Sequence, residues 1–420
     1  MQKNNLLVLV LVCTVTTSIV EVMADEVSSS YEILSELVNA TLKSNPGVQS
    51  AQAALDAAIA RERAGNQPLY NPQIQLDAED AIDRSASIGI SQSIDWSGKR
   101  RARGSVASYE REVVAAELHR IRQGLAIELL NALIRHDVAK QLSMLIGERE
   151  RLMRQFAALA AQRRQAGDLN QVELDLARLA LAEAQLQQSQ ATFTLAEVRQ
   201  AVAAVLGDKG SPLAILPDTP PRAAVETPDI EQLLANLPVV RVQMARIAAA
   251  SKRVKLRTLE TRPDPTVGVR IGQEESDLLA GLNISIPLFV RNNFSAQVDG
   301  ANADRLQIEL EAQDLYRRAR AQMTTSLERY QLTDRAWDNW KKIGAQSLGS
   351  QITVLERLWR AGEISTTDYL VQVNQTLDTR TAAAELRGRL WQSWFDWLAA
   401  SGKVDAWLGL TPMVKAVRND

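Results

Sequence analysis

Two stretches of strict alternation, each feeding a long proline-free tract, constrain this chain more than any other feature. The first runs from Asn71 to Arg103 and the second from Asp264 to Asn302. In the first, Ile74, Leu76, Ala78 and Ile82 share one face. Gln73, Gln75, Asp77, Glu79 and Asp83 share the other, as a period of two requires. The return segment sets Ala86, Ile88, Ile90, Ile94 and Trp96 against Ser85, Ser87, Gly89, Ser91, Ser93 and Asp95. In the second stretch Val267, Val269 and Ile271 oppose Gly268, Arg270 and Gly272. Leu278, Ala280, Leu282, Ile284, Ile286 and Leu288 then oppose Gly281, Asn283 and Ser285. Each stretch is a predicted β-hairpin. Strands of about ten residues, apolar on one side and polar on the other, suit a barrel with lipid outside and water inside. They also suit a soluble sheet with one face on a core. Trp96 and Phe289 stand at strand ends, where an aromatic girdle would lie.

The prolines divide the rest of the chain. All 13 fall before Gln73, between Ser211 and Pro287, or at Pro412. The two intervening tracts are rich in Ala, Leu, Arg and Glu and can be almost uninterrupted helix. A helix from Lys99 to Ala166 would be about 100 Å long at the helical rise per residue. Gln165-Ala166-Gly167-Asp168 predicts a break, with Gly167 ending one helix and Asp168 capping the next, which runs to Leu206. Arg291 to Ala361 predicts a further long helix, and a last one runs from the Gly362 break to about Trp407.

Met1 to Ala24 reads as a secretory signal, with Lys3 as the charged region, Leu6 to Val15 as the apolar core and Val22-Met23-Ala24 before the cleavage point. Its apolar core is too short to span a bilayer, and no other run approaches the roughly twenty apolar residues a spanning helix needs. The one cysteine, Cys13, lies inside this segment. The alternative is that Cys13 becomes a lipidated N-terminus after a shorter signal. A cysteine-free mature chain has no disulfide and no thiol metal site. The formal net charge of −2 implies no bulk attraction to nucleic acid. His119 and His136 lack metal-ligand partners at helical spacing, and no nucleophile elbow, phosphate loop or nucleotide motif is present. The sequence therefore predicts no enzyme and no cofactor.

The series of elements occurs twice. Pro46 pairs with Pro238, Asn71-Pro72 with Asp264-Pro265, and Ala166-Gly167-Asp168-Leu169 with Ala361-Gly362-Glu363-Ile364, at an offset of about 193 residues. The predicted organisation is a signal over 1–24, short helices over 25–70, a hairpin over 71–97, a long helix pair over 98–207 and a linker over 208–228. The series then repeats as 229–262, 263–290 and 291–408, with a tail over 409–420. Four strands cannot close a barrel, and an open edge in lipid leaves backbone groups unpaired at several kcal/mol each. Strands that enter a membrane therefore require oligomerisation, and three copies supply twelve strands.

In these features the chain resembles the TolC-like outer-membrane efflux factors. The resemblance rests on the two-fold repeat, a hairpin between helices, Asn45-Pro46, the run Asn283-Ile-Ser-Ile-Pro-Leu-Phe289 and the two Ala-Gly-acid tips. It covers essentially the whole mature chain. Gln92-Ser-Ile-Asp-Trp-Ser-Gly-Lys-Arg100 is similar to the Gly-Lys-Arg stretch of the heavy-metal, CzcC-type branch.

The resemblance implies a mainly α chain whose long coiled-coil helices form a trimeric α-barrel below a twelve-stranded membrane β-barrel, four strands per chain. It implies a homotrimer in outer-membrane lipid with a large periplasmic portion. The partners would be a periplasmic adaptor (membrane fusion) protein and a proton-driven inner-membrane pump of the RND type, with no nucleic acid. The cargo would be divalent cations of cobalt, zinc, cadmium or nickel. Drugs, dyes or type I secreted polypeptides are the alternative cargo, and a soluble periplasmic coiled-coil scaffold is the alternative class.

By the same resemblance, Ala166, Gly167, Asp168, Leu169, Ala361, Gly362, Glu363 and Ile364 would meet the adaptor. Asp368 and Glu173 would line the periplasmic aperture and bind cations. A second acid expected three residues after Asp368 is Val371 here, and the basic residue some members carry two past the tip glycine is Ile364. From the residues alone, Asp368 and Glu173 also read as first-turn acids complementing a helix N-terminus. Asp77, Glu79 and Asp83 would face the barrel lumen. Lys99, Arg100, Arg101 and Arg103 follow a strand end, either at the inner lipid boundary or in a solvated collar. Trp391, Trp394 and Trp397 read as packing residues.

Overall fold

The computed structural model describes residues 31–80, 84–207, 216–221, 229–274, 277–347 and 351–410. The expected signal with Cys13, the residue Asp83, and most of the linker and tail lie outside them. Residues 31–44 form α1. In chain order there follow α2 (Pro46–Gly65), β1 (Gln73–Asp80), β2 (Arg84–Ser93), α3 (Lys99–Gln165) and α4 (Gln171–Leu206). The second series is α5 (Ile230–Asn236), α6 (Pro238–Glu260), β3 (Thr266–Glu274), β4 (Asp277–Ser285), α7 (Ser295–Ser347), α8 (Gln351–Arg360), α9 (Thr366–Ser401) and α10 (Val404–Trp407). Among the described residues, no single helix is long and apolar enough to cross a membrane.

The chain divides into two compact units, and α3 and α7 run through both. One unit holds residues 46–121 and 231–320, including the whole sheet. Its strands form an antiparallel meander in the order β1-β2-β3-β4. Ile74 pairs with Ile90, Ile90 with Val269 and Val269 with Leu282, so one apolar row crosses all four strands. Leu76, Ile88, Ile271 and Ala280 form the next row. A one-residue slip in any strand would move its whole apolar set to the other face, so the pattern itself fixes the register.

The other unit holds the described residues of 31–45, 122–230 and 321–410. Two aromatic clusters lie in its core. At the end of α9, Trp391, Trp394, Phe395 and Trp397 are all buried. Trp391 packs on Phe395 and Phe395 on Trp407, while Tyr31 of α1 meets Trp407 edge-on. The Trp391 indole and the Arg387 guanidinium both donate to the Pro217 carbonyl, and Arg387 also pairs with Asp137 at 2.6 Å, which ties residues 216–218 to α3 and α9. The second cluster joins the ends of α3, α4, α8 and α9 and is described below.

Besides the start of α4, described below, three boundaries differ from expectation for local reasons. The last long helix stops at Ser401, because Gly402 is left-handed (φ 69°) and Lys403 N–H closes back on Leu398 O at 3.0 Å; α10 is a separate turn. β4 ends at Ser285, short of Leu288, because Pro287 has no N–H to continue a ladder. α7 starts at Ser295 and not at Arg291. Asn292 and Asn293 accept the backbone N–H groups of Phe294 and Ser295 in turns, and Phe294 takes a positive φ of 60°.

Candidate channel-forming sheet and helical tips

Among the described residues the apolar face of the sheet is uncovered, while on the polar face Gly89, Ser91 and Gly268 are buried. On the apolar face Ile74 is 71% exposed, Leu76 76%, Leu278 80% and Leu282 69%, far beyond the scattered apolar residues of an ordinary surface. The opposite face carries Gln73, Gln75, Asp77, Glu79, Arg270, Glu274, Asp277 and Asn283 among serines and glycines. Asp77 stands opposite Ser87 and Glu79 opposite Ser85, both exposed. Among the described residues, β1 and β4 each have one edge without a partner strand. Among the described residues the apolar rows are bare, unlike the inner face of a soluble sheet packed on its own core. An apolar face, a polar face and two open edges are the components of a closed barrel in lipid.

The junction between strands and helices is tightly polar. The Asp95 carboxylate accepts the backbone N–H of Lys99 at 2.8 Å and of Arg100 at 2.6 Å, starting α3. Lys99 is not a surface cation. Its ammonium pairs with Asp264 at 2.9 Å, with both side chains buried, and also donates to Arg262 O. The Tyr70 hydroxyl donates to the same Asp264 oxygen at 2.8 Å, and burial together with that carboxylate pushes the phenol up to about 12. Trp96 is exposed, and its indole donates to Pro263 O at 2.8 Å. Phe289 meets Phe294 edge-on at 4.9 Å.

The two helix-to-helix turns, in the other unit, share one construction. At the first, Gly167 takes φ 86° and Asp168 N–H donates to Arg163 O at 2.9 Å. At the second, Gly362 takes φ 77° and Glu363 N–H donates to Leu358 O at 2.9 Å. The left-handed residue is the place where glycine carries no Cβ penalty. The acid after each glycine belongs to this C-terminal motif, so Asp168 is not the N-cap of α4. That role falls to Asn170, whose side chain accepts Glu173 N–H at 2.9 Å while Glu173 reaches back to Asn170 N–H at 3.2 Å. Ser365 caps α9 in the same way. Its hydroxyl accepts Asp368 N–H at 3.0 Å and donates to the Asp368 carboxylate at 2.7 Å.

Glu173 and Asp368 thus occupy equivalent third positions of α4 and α9, half-exposed and exposed respectively. Of the tip residues, Ala166, Gly167, Asp168, Ala361, Gly362 and Glu363 are exposed. Leu169 is buried and Ile364 half-buried, both packed into the core beneath. That core centres on Phe156, Trp359 and Tyr369, whose rings lie 4.6–5.2 Å apart. Burial pushes the Tyr369 phenol up to about 12. The Arg163 guanidinium stands 5.5 Å over the Trp359 ring and donates to its carbonyl.

No family model matches the chain. The cobalt-zinc-cadmium resistance protein CzcC of Cupriavidus metallidurans is 27% identical over 269 residues, 62% of each chain. Protein CyaE of Bordetella pertussis is 26% identical over 302 residues, 64% of this chain and 63% of that one. The chain therefore matches less than two thirds of the length of either relative. The CmeC outer membrane channel of Campylobacter jejuni superposes with a TM-score of 0.75 at 15% identity, covering 91% of this chain and 90% of that one. The chain shares its fold with this outer membrane channel.

In this chain, sequence reasoning found the strands, the helix-to-helix turns and the third-position acids. It missed the Lys99–Asp264–Tyr70 junction and the Phe156–Trp359–Tyr369 core. The one available signal for the junction was Asp264 itself, a charged residue between prolines where the first repeat has Asn71. Among the described residues, no group of three or more His, Cys, Asp or Glu is placed to hold a metal ion.

Proposed function

We propose that the chain is the outer-membrane duct of a tripartite efflux system that exports divalent heavy-metal cations. The observation that carries this reading is the four-stranded meander with an uncovered apolar face, a polar face and two open edges. Three copies joined edge to edge satisfy every edge and give twelve strands, with apolar rows on lipid and polar rows on water. In this reading 71–97 and 263–290 are the membrane hairpins, and 98–207 and 291–408 the helix pairs of the periplasmic barrel. The adaptor would meet the exposed tip residues Ala166 to Asp168 and Ala361 to Glu363, and Leu169 and Ile364 would hold the turns in shape. Energy would come from a proton-driven inner-membrane pump of the RND type. The heavy-metal cargo is supported by the likeness to CzcC and by the Gly98-Lys99-Arg100 stretch.

Two measurements test this. Outer-membrane extracts should yield a trimer that needs detergent for release; a monomer or dimer freed by buffer alone would sink the channel. Deletion of the gene should sensitise cells to one or two of cobalt, nickel, zinc and cadmium, read as a lower inhibitory concentration. Sensitivity confined to dyes and detergents would keep the duct and remove the metal.

The aperture reading of Asp368 has its own check. Three carboxylates converging on an axis repel one another and favour a bound cation. Asp368→Asn keeps the acceptor for the Ser365 hydroxyl and removes only the charge. Block of the conductance by millimolar divalent cations is expected to weaken about tenfold, on the scale of one lost charge contact per subunit. Unchanged block would leave Asp368 with the capping role alone. Glu173, engaged in its capping box, contributes less in this reading.

A further inference from the structure

We propose that Arg270 is a fixed positive charge on the barrel wall, a local site for small inorganic anions and carboxylates that tempers the cation preference of the carboxylates on the same face. This rests on the channel reading above.

The argument starts from the register. On the polar face, Arg270 lies in one row with Gln75, Gly89 and Gly281. Its two neighbours in that row are glycines, and so are the same-face neighbours on its own strand, Gly268 and Gly272. At the corners of this block stand Ser91, Asn283, Ser87 and Leu279. Arg270 therefore lies on a floor of backbone with four glycines around it. A Cβ at Gly281 would sit 3.7–3.8 Å from the guanidinium nitrogens, so the side chain lies along β4 and stays close to the wall. The floor is also close-packed. A Cβ at Gly272 would come within 2.6 Å of Ser87 Cβ and 2.7 Å of Ala86 O.

The carboxylates of this face stand elsewhere. Glu79, Glu274 and Asp277 share the row at the hairpin ends with Ser85. That row is four residues along β3 from Arg270, about 13 Å at the strand rise. Asp77 is one row nearer but two strands across, on the order of 12 Å away. Both are backbone spacings, too long for a direct contact between these carboxylates and the guanidinium. Among the described residues, Arg270 makes no ion pair. Three copies by symmetry place three guanidinium groups at one height, below a belt of carboxylates. Rings of arginine favour anions in pores just as rings of acid favour cations.

The test uses full-length protein in planar bilayers, with reversal potentials measured across a potassium chloride gradient. Arg270→Gln is expected to raise the cation-to-anion permeability ratio about threefold and Arg270→Glu about tenfold, while Arg270→Lys leaves it unchanged. Gly281→Asp, which sets a carboxylate beside the intact guanidinium, is expected to act like Arg270→Gln. If both the Arg270→Gln and Gly281→Asp proteins conduct normally with the wild-type ratio, the assignment is overturned and the channel stands. If the wild-type protein forms no conductance, the channel reading fails and takes this assignment with it.

Discussion

Replacing Trp359 with alanine is expected to destabilise the helical-tip core by about 3–5 kcal/mol, the range for removing a fully buried aromatic side chain. Trp359 is 1% exposed. Its ring packs on both Phe156 and Tyr369, so two aromatic contacts of about 0.5–1.5 kcal/mol each go with it. The indole also donates to the hydroxyl of Thr366, the first residue of α9, and stands beneath the Arg163 guanidinium. The ring therefore links α3, α8 and α9 at the place where both turns are anchored. Opening should be local. Hydrogen exchange is expected to speed up in residues 152–177 and 355–377, while the sheet keeps its protection. Trp359→Phe retains the stack and loses the hydrogen bond, and should show a smaller effect of about 1–2 kcal/mol. Unchanged exchange in the alanine variant would mean that Leu169, Leu174 and Val373 hold the turns without the aromatic trio.

The parts of this fold that were legible in sequence are those with local causes. Alternation in residues 73–78 and 266–271 has only one partition between faces, and that partition fixed which rows meet across four strands. The left-handed turns were legible because Gly167 and Gly362 follow long stretches of good helix formers. What followed each glycine was misread at the first tip. A Gly-acid pair looks like an end and a start, but the Schellman hydrogen bond takes the acid into the end. The start then comes at the next residue with a short polar side chain, Asn170 or Ser365. Identical logic governs both tips, so the repeat could have exposed the error: Glu363 is a poor cap, while Ser365 is a good one.

The rest depended on pairs far apart in sequence. Phe156 belongs to the first repeat, and Trp359 and Tyr369 to the second; nothing near any of them announces the others. Trp391, Trp394 and Trp397 recur every three residues and were legible as packing residues, although only the structure shows that Trp391 also holds Pro217. Lys99 was the costliest misplacement. It stands beside Arg100, Arg101 and Arg103 and shares their composition signal, yet helix geometry sends it inward while Arg100 and Arg101 stay exposed.

Lys99→Met should destabilise the strand-to-helix junction by about 3–5 kcal/mol, because it leaves a buried carboxylate without its counter-charge. The Lys99 and Asp264 side chains are 9% and 5% exposed. One Asp264 oxygen already lacks a hydrogen-bond partner, and the other would keep only the Tyr70 hydroxyl. The pair matters beyond its own energy because it joins the repeats. Lys99 and Tyr70 come from the first, Arg262 and Asp264 from the second. Ile94 N–H to Pro265 O at 2.8 Å and Trp96 to Pro263 O add two further bonds across the same seam. Together they fix β2 against β3 at the end where the strands become helices, and so keep the two hairpins in one sheet. Asp264→Asn alone should be milder, since the Lys99 ammonium retains the Arg262 carbonyl. The double variant Lys99→Met with Asp264→Asn should recover most of the loss, because no buried charge remains. Urea midpoints of the detergent-solubilised protein, read for the two single variants and the double, give the coupling. Additive effects would mean that the 2.9 Å contact contributes no more than a surface ion pair, and that the backbone bonds at Pro263 and Pro265 hold the seam alone.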